Sequence, residues 1–181
     1  YYLQKDRIEA YEGEIEGLEE LSEAQKKALE EINEGFGEEK NVLLHGVTSS
    51  GKTHLYLEKI EQTIAEGKNV LFLLPEIALT KQIITRLEKK YGKQLGFYHQ
   101  KLTDFEKVEV WKRIKNNDIK ILIGTRGSLF LPFQNLGLII IDEEHDSAYK
   151  PREVKPFFNA KDAAQVLAKF YESKVILGSA T

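Results

Sequence analysis

The sequence predicts an α/β domain: a doubly wound, mainly parallel sheet with helices on both faces. Three observations predict it. Six short apolar runs are continuous rather than alternating, as in strands buried on both faces. Helical patterns separate most of them. The first run leads directly into Gly46-Val47-Thr48-Ser49-Ser50-Gly51-Lys52-Thr53, which opens a helical pattern. That last arrangement is a phosphate loop following the first strand of an open sheet.

The elements follow in order. Residues 1–21 are rich in Glu, interrupted by Gly13 and Gly17, and read as a linker or frayed extension. Ser22 is an expected N-cap, and Gln25 three residues later completes a capping box. Ala24, Ala28, Leu29 and Ile32 recur at helical spacing until Gly35 and Gly37. Residues 42–45 are read as the first buried strand. The phosphate loop and a helix over 55–65 follow, closed by Gly67. Residues 70–74 form the second strand, stopped by Pro75. A helix is expected over 80–91, with Ile83, Ile84 and Leu87 on one face and Gly92 at its end. Residues 95–98 are a short third strand. Thr103 caps a helix carrying Phe105, Val108, Trp111 and Ile114. Strands four to six lie at 120–123, 138–141 and 174–177, with a helix over 159–171 before the last. Phe97, Tyr98 and Trp111 are assigned to core or helix packing, and His45 and His99 to strand ends. The organisation is an acidic stretch, 1–21, and one nucleotide-binding lobe, 22–181.

Composition sets limits. With 41 % hydrophobic and 30 % charged residues, 181 residues can bury a core. No apolar run approaches the roughly 20 residues that span a bilayer, and residues 1–6 are not a signal peptide. A cytoplasmic protein with no membrane partner is the plain expectation. Cysteine is absent, which excludes disulfides and thiolate metal sites within these residues. Methionine is absent too and the chain opens on Tyr1, as expected of a piece of a longer protein. Residues 1–40 carry 13 acidic and 5 basic side chains, whereas residues 41–181 carry 16 and 21. The globular part is mildly basic, which permits a nucleic-acid partner without demanding one.

Two anchors carry the chemistry. In the phosphate loop, backbone N–H groups around Gly46, Thr48, Ser50 and Gly51 can wrap an anion, and the helix N-terminus adds its positive dipole end. Lys52 would reach the β/γ-phosphates of a nucleotide and the Thr53 hydroxyl would sit on Mg²⁺. The alternative is a glycine turn that only joins strand to helix. The second anchor, Ile139-Ile140-Ile141-Asp142-Glu143-Glu144-His145, lies 90 residues after Lys52 and ends a buried strand in three carboxylates. A doubly wound sheet binds ligands at such strand ends. Crowded like charges there need a cation. Asp142 would hold Mg²⁺ and Glu143 would orient or deprotonate the attacking water. The alternative is a solvated acidic turn.

Asp142-Glu143-Glu144-His145 resembles the acidic motif of superfamily 2 helicases, and Gly178-Ser179-Ala180-Thr181 resembles their Ser-Ala-Thr motif. With residues 46–53, 74–80, 123–130 and 141–149, the likeness narrows to the bacterial replication-restart (primosomal) helicases. It runs from about Leu21 to Thr181. One departure is Ser49, where such loops usually carry Gly; it bears on loop geometry.

The resemblance implies a RecA-like first motor lobe that binds ATP and Mg²⁺. It implies that Gln25 reads adenine, against the capping-box reading of the same side chain. Thr80, Thr125 and Arg126 would follow single-stranded DNA, against helix capping for Thr80 and a surface ion pair for Arg126. His145, Ser179 and Thr181 would couple nucleotide state to other motifs, though His145 could simply orient a neighbouring carboxylate.

After the acidic motif, Tyr149 to Phe158 interleaves aromatics with Lys150, Arg152 and Lys155, the parts of a stacking platform for unpaired bases. The resemblance points to an aromatic-rich loop. That loop usually carries a Trp, which is absent here; Phe157 and Phe158 either take its place or pack under the following helix. Implied partners are single-stranded and forked DNA, single-strand-binding and primosome proteins, and a second lobe that completes the ATP site with an arginine. The alternatives are another superfamily 2 translocase, or a non-catalytic nucleotide switch.

Overall fold

The computed structural model describes residues 21–38, 40–46, 51–75, 81–150 and 157–179. Of the expected positions, residues 1–20, Thr48, Ser49, Ser50, Thr80, Arg152, Lys155 and Thr181 lie outside the described residues.

Six strands form one sheet: β1 (Asn41–His45), β2 (Asn69–Leu73), β3 (Leu95–Tyr98), β4 (Ile121–Gly124), β5 (Leu136–Ile141) and β6 (Lys174–Ser179). Their spatial order is β1-β6-β5-β2-β4-β3, and every pairing is parallel. Parallel neighbours need crossovers. These are α2 (Lys52–Ala65), α3 (Lys81–Tyr91), α4 (Asp104–Lys115) and α5 (Ala160–Tyr171), while α1 (Glu23–Glu38) precedes the sheet.

The alternation along each strand divides the core in two. Val70 and Phe72, Ile121 and Ile123, Leu138 and Ile140 pack under α1, α2 and α3. Leu71 and Leu73, Leu122, Ile139 and Ile141 pack under α4 and α5. Both faces of the central strands are covered, which is why β2, β4 and β5 are apolar at nearly every position.

Local signals explain the helix ends. Thr103 and Glu106 form a reciprocal capping box at α4, and Asn159 caps α5 by accepting from the Lys161 amide. Gly67, at φ 76°, takes the left-handed position after α2, a conformation that costs a side chain but not glycine.

Three expectations are corrected. β1 is an edge strand rather than a buried one: among the described residues it pairs with β6 alone, and Leu43 is 60 % exposed. Trp111 is not packed in the core. α4 covers the other sheet edge, over β3, and buries the stripe Val110 and Ile114. Trp111 lies about 100° round the helix from Val110, with the Lys115 ammonium 5.0 Å from its ring centroid. Third, α1 continues past Gly35 and Gly37 to Glu38. Gly35 serves close approach instead: a Cβ there would meet Val42 Cγ2 at 2.9 Å.

Candidate active site

The carboxyl ends of β1, β6 and β5 stand side by side, joined by backbone hydrogen bonds. The Gly46 amide donates to Ser179 O (3.0 Å), and the Glu144 amide donates to Gly178 O (2.8 Å). The α2 N-terminus arrives at the same place. Gly51 is its N-cap at φ 85°, with no side-chain cap and no acidic residue in the first turn. The first N–H groups of a 14-residue helix therefore keep their positive end uncancelled by any cap or carboxylate of that turn. Lys52 is partly buried, and its ammonium donates to Gly46 O (2.6 Å) and Ser179 O (3.0 Å). Both acceptors are neutral carbonyls, and among the described residues Lys52 enters no ion pair. A cation held by neutral groups beside an uncapped helix start suits a polyanion.

Thr53 is the next residue of the same turn. One turn after Lys52, Tyr56 is buried with its ring edge-on to Phe72, centroids 5.6 Å apart. Its hydroxyl donates to Asp142 Oδ1 at 2.9 Å. Burial, then the Asp142 carboxylate, raise the Tyr56 pKa far above the ordinary phenol range, so the group stays a donor. Tyr149 grips Asp142 from the other side: its hydroxyl donates to the backbone oxygens of Asp142 (2.8 Å) and Leu73 (3.1 Å).

Glu143 takes φ 49°, a left-handed conformation in a non-glycine residue. Its Oε2 lies 3.5 Å from His145 Nε2, and His145 Nδ1 lies 3.5 Å from the buried Ser179 Oγ. His145 thus stands between the acidic turn and β6. Glu144 pairs with Lys161 in the first turn of α5, tying the two ends of the aromatic stretch together at its base.

For Gln25 the capping-box expectation is met. The capping box forms, with Ser22 N donating to Gln25 Oε1 (2.9 Å) and Gln25 N donating to Ser22 Oγ (3.3 Å). Its amide nitrogen also reaches the phosphate loop, 3.3 Å from His54 Nδ1 and close enough to Gly51 that a Cβ there would fall 2.3 Å away.

The expected DNA-contact residues gather at the ends of β4 and α5. Thr125 follows β4, and its amide donates to Tyr98 O at 3.1 Å. Arg126 is 9 % exposed, with its guanidinium carbon 5.1 Å from the Phe158 ring centroid. It is buried rather than at the surface, where a surface ion pair was the alternative expectation. Phe158 also meets Phe130 edge-on at 5.1 Å. Phe157, by contrast, is 59 % exposed, and Lys150 is exposed. Sequence reasoning paired Phe157 with Phe158; the structure separates them.

Among the described residues no three metal-ligating side chains cluster. Mg²⁺ in phosphoryl transfer does not require three, being held by one or two carboxylates together with substrate phosphates. The oriented Asp142 carboxylate and the Thr53 hydroxyl fit that donor set.

A parallel sheet thus carries, at its strand ends, a helix start without a side-chain cap from its N-cap residue and a turn of three carboxylates. The chain belongs to the DEAD/DEAH box helicase family, whose model matches residues 22–181. Over 163 residues it is 44 % identical to the replication restart protein PriA of Bacillus subtilis, covering 89 % of this chain and 20 % of that protein. It is 46 % identical to PriA of Rickettsia prowazekii over 164 residues, 91 % of this chain and 25 % of the relative. The chain thus spans about a fifth to a quarter of the length of the curated relatives it matches. Among solved structures, RecG bound to a three-way DNA junction is similar with TM-score 0.66 and 28 % identity, over 90 % of this chain and 21 % of that one. The helicase MrfA bound to DNA and AMPPNP shares the fold, with TM-score 0.65 and 22 % identity over 91 % of this chain and 24 % of that one.

Proposed function

We propose that residues 22–181 are the first motor lobe of an ATP-dependent DNA helicase of the replication-restart type, and that residues 1–21 are an acidic linker. The observation that carries this reading is the Lys52 ammonium, held by two neutral carbonyls at the uncapped N-terminus of α2. One helical turn away, Tyr56 holds the Asp142 carboxylate. A nucleoside triphosphate brings the negative charge that Lys52 and the helix start call for, and its magnesium brings the positive charge that Asp142 calls for.

In this reading the phosphate loop around Gly46, Thr48, Ser50 and Gly51 wraps the phosphates. Lys52 contacts the β/γ-phosphates. Thr53 and Asp142 would hold Mg²⁺, which when bound would supply positive charge against that of the phosphates. Glu143 would orient or deprotonate the attacking water, and Gln25 would contact the base. His145 passes the state of Glu143 to β6 through Ser179, with Thr181 beyond it. Thr80, Thr125 and Arg126 lie along a single DNA strand, while Lys150, Phe157 and Phe158 form the aromatic segment that senses it. Support for the DNA side comes from PriA, a replication restart protein, and from RecG, solved on a three-way DNA junction. Forked DNA, single-strand-binding proteins and primosome proteins are the partners that follow, in the cytoplasm.

A second lobe supplies an arginine to the ATP site. Such an arginine is worth about 10³–10⁵ in turnover in related enzymes. These 181 residues alone therefore bind ATP but hydrolyse it poorly and unwind nothing. Robust DNA-stimulated ATP hydrolysis by them would refute this. The cradle is tested by titrating a fluorescent ATP analogue, with and without Mg²⁺, into wild type and Lys52→Ala. A loss of affinity of about 10-fold or more is expected, since charge-assisted contacts of this kind contribute about 1.5–3 kcal/mol. Unchanged affinity would overturn the assignment.

A further inference from the structure

Tyr56 lies outside the phosphate-loop pattern and outside the acidic motif, yet it joins them. Its ring is buried and fixed edge-on against Phe72. Its hydroxyl donates to Asp142 Oδ1 at 2.9 Å. The gap that admits this bond is made by a glycine on a third element, β6. A Cβ on Gly178 would stand 1.9 Å from the Tyr56 oxygen and 2.8 Å from Asp142 Oδ1. Any other residue at 178 would occupy the place where the two groups meet. Three separate stretches of chain (α2, the end of β5, and β6) are thus cut to one hydrogen bond.

That bond does more than satisfy a buried hydroxyl. Asp142 is pinned through its backbone oxygen by Tyr149, which fixes its main chain but leaves the carboxylate free to rotate. Tyr56 removes that freedom by engaging Oδ1, and so sets the direction of Oδ2. A carboxylate that must meet a metal in near-octahedral geometry gains from having its rotation fixed beforehand. The tie also runs from the helix that carries Lys52 and Thr53, so the phosphate-binding and carboxylate halves of the site are held as one unit.

We infer that Tyr56 is a positioning residue for the divalent cation that accompanies the nucleotide, acting through Asp142 in a space kept open by Gly178. The inference rests on the proposed role of Asp142 as a metal ligand. The test compares wild type, Tyr56→Phe and Asp142→Asn in the full-length protein. The readout is the affinity for a fluorescent non-hydrolysable ATP analogue in Mg²⁺ divided by that in EDTA. Phenylalanine keeps the ring and its contact with Phe72, and the melting temperature without nucleotide reports packing separately. Tyr56→Phe is expected to lower the ratio about 10-fold, as loss of an orienting partner of a metal ligand does, with a deeper loss in Asp142→Asn. A wild-type ratio in Tyr56→Phe beside a lost ratio in Asp142→Asn would show Tyr56 to be a core residue only and overturn the inference. A wild-type ratio in both would overturn the metal role of Asp142, and the inference with it.

Discussion

Glu143 carries backbone strain at the position proposed to act on the attacking water, and that strain can be measured. Its φ of 49° places a side chain in the left-handed region, which costs a non-glycine residue about 1–2 kcal/mol. Asparagine tolerates that region better because its short amide bonds locally, so Glu143→Asn recovers about half of the cost. The lost contact with His145 spans 3.5 Å between groups 31 % and 44 % exposed, and such a pair contributes about 0–0.5 kcal/mol. Removing one of three adjacent carboxylates acts in the stabilising direction. The net is a gain of about 0.5–1 kcal/mol. For a domain of this size, that raises the melting temperature by about 1–4 °C.

Glu143→Gln is the control, because it removes the charge and retains the strain. Melting of the 181-residue chain without nucleotide should rise for Asn and stay within about 1 °C for Gln. Both variants should lose at least about 100-fold in ATP turnover in the full-length protein, the usual contribution of a positioned base. If Asn melts below wild type, the left-handed backbone is not a store of strain. If Gln stabilises as much as Asn, relief of charge crowding rather than backbone strain is the cause.

Two further outcomes separate neighbouring roles. Phe158 packs against Phe130 and Arg126 while Phe157 faces solvent. Phe158→Ala should therefore cost about 1–2 kcal/mol in denaturant unfolding and Phe157→Ala less than about 0.5. The double variant should lose DNA stimulation of ATP hydrolysis, and surviving stimulation would remove both from the stacking role. His99 is held below the ordinary histidine pKa by burial, with Lys101 adding to the shift and Glu106 opposing it. A depressed folded value means that the unfolded chain binds the proton first. Stability from this group is therefore complete above about pH 6.5 and declines as the pH falls through the folded value. His99→Gln should flatten the fall in melting temperature between about pH 7 and pH 5; an unchanged slope would refute the assignment.

Much of this molecule is legible in local chemistry. A phosphate loop is a string of consecutive residues, so Gly46 to Thr53 announces itself wherever the chain folds. Capping boxes at Ser22–Gln25 and Thr103–Glu106 are likewise written within four residues, and both form. Continuous apolar runs name the central strands because both of their faces are covered. The same rule misread β1: an apolar run does not state whether its strand lies at the centre or the edge, and among the described residues β1 pairs with β6 alone while Leu43 is 60 % exposed.

The sequence by itself determined the class of fold and located the Gly46–Thr53 pattern and the acidic turn after β5, because each rests on residues within a few positions of one another. Tertiary structure alone decided which side chains meet across the sheet. The order β1-β6-β5-β2-β4-β3 brings Gly178 beside Asp142 and lays Tyr56 between them. It buries Arg126 under Phe158 and turns Trp111 outward. Those contacts join residues as much as 122 positions apart, Tyr56 to Gly178. No local pattern encodes them, because crossover connections and not sequence spacing set which strand ends stand together.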